Sequence, residues 1–199
     1  EVLPVLVGLL QLEMREEGAI DFTEIALQAL FLLKENRHHE ALIWDQKLRH
    51  ILMDEFQDTS QLQYQLLQKL TEEWTPEQGK TLFLVGDPMQ SIYRFRQADV
   101  GLFIKAKREG IHAIRLEFLQ LTQNFRSDRQ LIHAFNQHFS TTMPHHEHIL
   151  SGAIPYHPST PTRDYPETTA PQWLTCSDDT EVMTTVRDTL HSWLAEFPK

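Results

Sequence analysis

The chain has 199 residues, 41% of them hydrophobic, enough to bury a core as one large domain or two small ones. Its one cysteine, Cys176, excludes an internal disulfide framework and suits a reducing, cytoplasmic setting. With 28 acidic against 18 basic residues the net charge is −10, which argues against a protein that coats itself in nucleic acid but leaves room for a narrow track with local cations.

The apolar run from Val2 to Leu12 is too short to span a bilayer and opens on Glu1 rather than on a basic segment. A buried helix is therefore expected, with no membrane association. The first residue is not methionine, so the chain is expected to be an internal piece of a longer protein. Asp21 followed by Glu24 marks a helix start, after which Phe22, Ile25, Ala26, Ala29, Leu30 and Leu33 recur at helical spacing. Glu35 to Glu40 reads as a polar loop. Ile51 to Met53 is a short buried strand, Ser60 and Gln63 form a capping box, and Leu62, Leu66, Leu67 and Leu70 give the next helix its apolar face. Thr75 to Gly79 is a turn before a second buried strand, Thr81 to Val85.

A strand–helix–strand unit over residues 50 to 87 crosses over right-handed and leaves its strands parallel. The acidic strand ends Asp54-Glu55 and Gly86-Asp87 then emerge at one carboxyl edge, where open parallel sheets bind ligands. Farther on, a helix carrying Phe103 and Ala106 is expected, then a strand at Ala113 to Leu116. Ser127 and Gln130 should cap a helix with Leu131, Ile132, Phe135 and Phe139 inward. Met143 to Pro171 is rich in proline, threonine and histidine and reads as irregular surface or linker. Gln172 to Thr175 reads as a strand. A helix from Asp179 to Phe197 should pack a face of Val182, Val186, Leu190, Trp193 and Leu194.

At the first strand end, one carboxylate of Asp54-Glu55 can hold Mg²⁺ while its neighbour deprotonates an attacking water. Adjacent strand residues point oppositely, so both can serve only where the strand is ending. The plainer alternative is a solvated acidic turn. Gln90 could hydrogen-bond a terminal phosphate or its attacking water. Tyr93 and Phe95 alternate with Arg94 and Arg96, which suits stacking on single-stranded bases with arginines on phosphates, although core aromatics give the same pattern. Arg126 precedes a helix start, where it could serve as an arginine finger or merely join a surface ion pair. The basic residues Lys105, Lys107 and Arg108 fit a solvated helix face as well as a nucleic-acid track. Gly79-Lys80-Thr81 is not a phosphate loop. The glycine such a loop needs is replaced by Trp74, and the triplet runs from a turn into a strand rather than into a helix. The spacing of His145-His146-Glu147-His148 fits neither a helical metalloprotease site nor a zinc finger, and His38-His39-Glu40 is read the same way.

Together these strings resemble the UvrD/Rep family of superfamily 1 DNA helicases. Leu52 to Thr59 resembles motif II (Walker B), Val85 to Asp99 motif III, Leu121 to Ser127 motif IV, and Ile20-Asp21-Phe22 an upstream Asp-Phe signature. The wording Gln-Ser-Ile-Tyr-Arg-Phe-Arg is closer to the RecB and AddA helicase–nuclease branch. The resemblance implies ATP and Mg²⁺ as cofactors, with Asp54 holding the metal and Glu55 as the base. Gln57 and Asp58 would link the nucleotide site to its surroundings, and Asp87 would lie at that site. Gln90 would sense the γ-phosphate, Tyr93 and Phe95 would stack on DNA, and Arg96 would couple the two sites. Phe125 would pack on adenine and Arg126 would contact the γ-phosphate. Gln97 stands where the family commonly has glycine.

The implied fold is α/β, a partial P-loop (RecA-like) parallel sheet with flanking helices. Residues 1–112 would be the carboxyl part of a first motor domain, and residues 113–199 the start of a second, with 143–171 irregular. The implied parent is an ATP-dependent helicase acting in DNA repair and recombination on single-stranded and duplex DNA, with exonuclease activity and a helicase–nuclease partner subunit. Walker A and motifs V and VI are not found in the chain, so on its own it is expected not to turn over ATP. Two other readings compete: an inactive DNA-binding or interaction module derived from such a helicase, and a P-loop ATPase acting on something other than nucleic acid.

Overall fold

The structure, a computed structural model, describes residues 2–35, 47–163, 171 and 174–196. The described elements are helices and two small parallel sheets, a mixed α/β arrangement. The chain divides into two compact units, one of Glu1–Leu121 with Phe139–His157, the other of Thr122–His138 with Pro158–Lys199.

In the first unit, β1 (His50–Met53) pairs in parallel with β2 (Thr81–Leu84), Ile51 opposite Leu82 and Met53 opposite Leu84. The connecting helix here labelled α3 (Gln61–Leu70) starts as its sequence predicts. The Ser60 side chain accepts from the Gln63 amide, and the Gln63 side chain accepts from the Ser60 amide. Because strand side chains alternate, Ile51, Met53, Leu82 and Leu84 pack on a core of Phe56, Tyr64, Leu67, Leu102, Ala106 and Ile111, whereas Leu52 and Phe83 point away from it and are exposed. That core reaches α4 (Val100–Glu109), which the Asp99 side chain caps by accepting from the Gly101 amide. A Cβ at Gly101 would sit 2.4 Å from the Ile149 carbonyl oxygen, so glycine is what lets the returning segment close on this helix.

Two helices precede the sheet. In α1 (Val2–Glu16) no residue is buried, contrary to the expected buried helix. Its valines and leucines ring the helix, and the described residues leave them open to solvent. In α2 (Phe22–Glu35), Asp21 Oδ1 accepts from the Glu24 amide as expected, and the helix packs on α3. Leu30 is buried there, but Phe22 and Ile25 are exposed rather than inward.

The expected strand at Ala113 to Leu116 does not form. His112, in the left-handed region (φ 50°), turns the chain so that Ile111 and Ile114 pair only with each other, as an isolated antiparallel bridge. The stretch from Met143 is less irregular than its composition suggests. His148 and Ala153 form an antiparallel bridge, and Glu147 Oε1 accepts from Lys107 Nζ at 2.6 Å while its Oε2 accepts from Arg108 at 2.9 Å.

In the second unit, β3 (Gln123–Asp128) pairs in parallel with β4 (Thr160–Arg163), a strand inside the segment read as irregular. The Asn136 side chain of α5 (Arg129–Thr142) exchanges two hydrogen bonds with the Ser159 backbone, at 2.8 and 3.1 Å. The helix starts later than Ser127: Asp128 Oδ1 accepts from the Gln130 amide, so Asp128 is the capping residue. The final helix, α6 (Asp179–Glu196), is capped by Asp178, but its predicted apolar face is exposed. Gln172, Trp173 and the run His38-His39-Glu40 lie outside the described residues, while Leu174 and Thr175 are not strand.

Candidate functional site

The ladder between β1 and β2 continues past both strands. The Val85 amide donates to the Met53 carbonyl and the Phe56 amide to the Val85 carbonyl, each at 2.8 Å. The two acidic strand ends therefore leave the sheet side by side. Asp54 lies in a bend and Glu55 takes the left-handed conformation (φ 52°, ψ 41°), an uncommon one for a side-chain-bearing residue. That kink releases both carboxylates from strand alternation; both residues are exposed. The Glu55 amide donates to Asp54 Oδ1 at 2.9 Å.

Behind them lies Gln57, only 1% exposed. Its Nε2 donates to Glu55 Oε2 at 2.6 Å, and its Oε1 accepts from the Asp87 amide at 3.0 Å. A Cβ on Gly86 would stand 2.4 Å from that Oε1, so the second strand end must be glycine for Gln57 to reach it. Asp87 caps a single 3-10 turn (Pro88–Gln90): its Oδ1 accepts from the Met89 amide, and its Oδ2 from Gln90 Nε2 at 2.8 Å. Ser91 Oγ lies 3.3 Å from Asp58 Oδ1 and 3.4 Å from the Gln57 carbonyl. Asp54, Glu55, Gln57, Asp58, Asp87 and Gln90 are thus gathered at one sheet edge.

Tyr93 precedes the next 3-10 turn (Arg94–Arg96) and Phe95 lies within it; neither is a core residue, Phe95 being 77% exposed. Their ring centroids are 5.9 Å apart, and the Arg96 guanidinium lies 5.2 Å from one and 5.5 Å from the other. Gln97 then takes φ 66°, which is why glycine would suit this position. Of the basic residues considered for a nucleic-acid track, Lys107 and Arg108 are paired with Glu147, and Lys105 lies over the Tyr64 ring. Glu147 carries those two partners, and among the described residues no group of three or more His, Cys, Asp or Glu side chains could hold a metal. Gly79 closes a turn before β2, and Lys80 lies over the Trp74 ring.

Phe125 and Arg126 belong to the second unit, where both are exposed. Asn124 Oδ1 accepts from the Arg126 and Ser127 amides at 3.0 and 2.8 Å, fixing the backbone under the arginine. Sequence reasoning overlooked Asn124 and Ser91. The signal for Asn124 was an Asn side chain ahead of free amides two and three residues on; Ser91 gave none, since its partners lie more than thirty residues away.

A family model for the UvrD/REP helicase N-terminal domain matches residues 5–110. The ATP-dependent helicase/nuclease subunit of Listeria monocytogenes serotype 4b is 36% identical over 141 residues, covering 67% of this chain and 11% of that protein. The protein of the same name from Streptococcus mutans serotype c is 37% identical over 129 residues, covering 64% and 10%. That from Desulfitobacterium hafniense is 36% identical over 138 residues, covering 65% and 10%. The chain thus spans about a tenth of the length of these relatives. No described helix is long and apolar enough to cross a membrane. With its matched segment running through both acidic strand ends, the chain belongs to the UvrD/REP helicase N-terminal domain family.

Proposed function

We propose that this chain is the middle of an ATP-dependent DNA helicase motor of the helicase–nuclease type, with a RecA-like P-loop fold completed by further sequence. The observation that carries the reading is the convergence of Asp54-Glu55 and Asp87–Gln90 at one sheet edge, tied together through Gln57. Exposed carboxylate oxygens suit Mg²⁺, which binds through one or two carboxylates plus phosphate oxygens and water. Asp54 would hold that ion, whose chemistry is to neutralise phosphate charge. Glu55 takes the proton of the attacking water, and Gln90 orients toward the terminal phosphate. Tyr93 and Phe95 stack on bases of single-stranded DNA, with Arg96 beside them. Phe125 and Arg126 serve the adenine and the γ-phosphate from a second motor domain. ATP, both DNA forms and a nuclease partner subunit belong to the same proposal, as do cytoplasmic location and a role in repair and recombination.

The rival reading as an inactive DNA-binding module keeps the aromatic surface and drops the chemistry. Measuring DNA-stimulated phosphate release separates them. The 199-residue chain should release none, and a longer polypeptide that also supplies a phosphate loop should release phosphate and lose it on Glu55→Gln. Turnover by this chain alone, abolished by Glu55→Gln, would overturn the fragment reading.

A further inference from the structure

The geometry points to Gln57 as a positioning residue that sets the Glu55 carboxylate and reports its charge to the second strand end; this rests on the function proposed above. The buried amide has one workable orientation. Its NH₂ faces the Glu55 carboxylate at 2.6 Å and, at 3.5 Å, Asp58 Oδ2, while its oxygen faces the Asp87 N–H at 3.0 Å. Flipped, it would set oxygen against carboxylate at one end and N–H against N–H at the other. Glu55 therefore dictates how Gln57 lies, and Gln57 in turn accepts the hydrogen bond at the head of the Asp87–Gln90 turn.

Gln57 is a spacer as well as a connector. It is 1% exposed, and Gly86 leaves room for its oxygen, with the Phe56 amide 3.0 Å from the place a Cβ would take. The path continues through Asp87 Oδ2 to Gln90 Nε2 at 2.8 Å, and Ser91 holds the Gln57 carbonyl. Polarisation along such a chain strengthens each bond, so neutralising Glu55 weakens the Gln57 bond to Asp87.

The test needs no ATP, so it can fail or succeed independently of the helicase reading. In ¹H–¹⁵N spectra of the 199-residue chain, Glu55→Gln should move the Asp87 amide proton upfield, the direction of a weaker hydrogen bond. In a Gln57→Met background the same substitution should leave that resonance nearly still, and Gly86→Ala, which crowds the amide without touching a charge, should do likewise. Should both buried-site variants fail to fold, the Gln57 side-chain NH₂ decides in the wild-type fold: it should be protected from exchange and respond to Glu55→Gln. An Asp87 response of equal size with and without the Gln57 amide, or a Gln57 NH₂ blind to Glu55, overturns the proposal.

Discussion

The Glu147 side chain bridges two basic residues of α4, Lys107 and Arg108. Its carboxylate, only 16% exposed, accepts from both Lys107 and Arg108, so those cations are tied to their own chain. The Lys107 hydrogen bond, helped by Arg108, holds its pKa below the ordinary glutamate value although burial opposes the shift. A carboxylate with a depressed folded pKa stabilises above its unfolded pKa, and that stabilisation disappears as pH falls through the folded value. Glu147→Gln should thus destabilise the chain by about 1–2 kcal/mol near neutrality, and the difference in denaturant midpoint should vanish in acid, below the ordinary value of 4.5. A gap that persists at low pH would show that packing, not charge, is at stake. Phe95 poses the complementary case. With its ring 77% exposed, Phe95→Ala should change stability by less than about 0.5 kcal/mol. If the ring stacks on a base, the same change should weaken oligothymidine binding by about 1–3 kcal/mol, read by fluorescence anisotropy.

At the scale of elements, legibility tracks the distance over which each feature is decided. The α3 cap was readable because Ser60 and Gln63 satisfy each other's amides within one turn. Ser60→Ala should cost about 1 kcal/mol in urea unfolding; a cost near zero would mean that solvent replaces the cap. The parallel pairing of β1 and β2 was equally readable, since a helical crossover leaves little choice of direction. What sequence missed depends on partners far along the chain. The apolar run of α1 and the apolar periodicity of α6 say what each helix would bury but not what it packs against, and the described residues leave both exposed. The strand expected at Ala113 to Leu116 lost to a turn at His112, and β4 formed in a Pro-rich stretch because β3 offered it an edge. At the candidate site, residue types and their convergence could be read from spacing. The left-handed Glu55 and the 2.6 Å bond from Gln57 could not, because both depend on how the second strand end meets the first.

For the whole molecule, charge sets the terms on which DNA could bind. A net charge of −10 repels a polyanion at long range, so attraction must come from cations held close to the contact. Arg94 and Arg96 alternate along the chain with the exposed Tyr93 and Phe95, whereas Lys107 and Arg108 are committed to Glu147. A contact of this kind neutralises about two phosphates, and for single strands the slope of log K against log salt is about −0.7 per phosphate. Anisotropy titrations of oligothymidine across a potassium chloride series should therefore give a shallow slope, about −1.4. It should flatten further at low salt, where the unscreened negative charge of the chain opposes binding. Removing Arg96 as Arg96→Gln should reduce the slope by about 0.7, while Lys107→Gln should leave it unchanged because that ammonium already faces a carboxylate. A slope steeper than about −4 would require about six or more neutralised phosphates. It would replace the narrow aromatic contact with a broad basic track, and Tyr93 and Phe95 would lose their claim to be the centre of the interface.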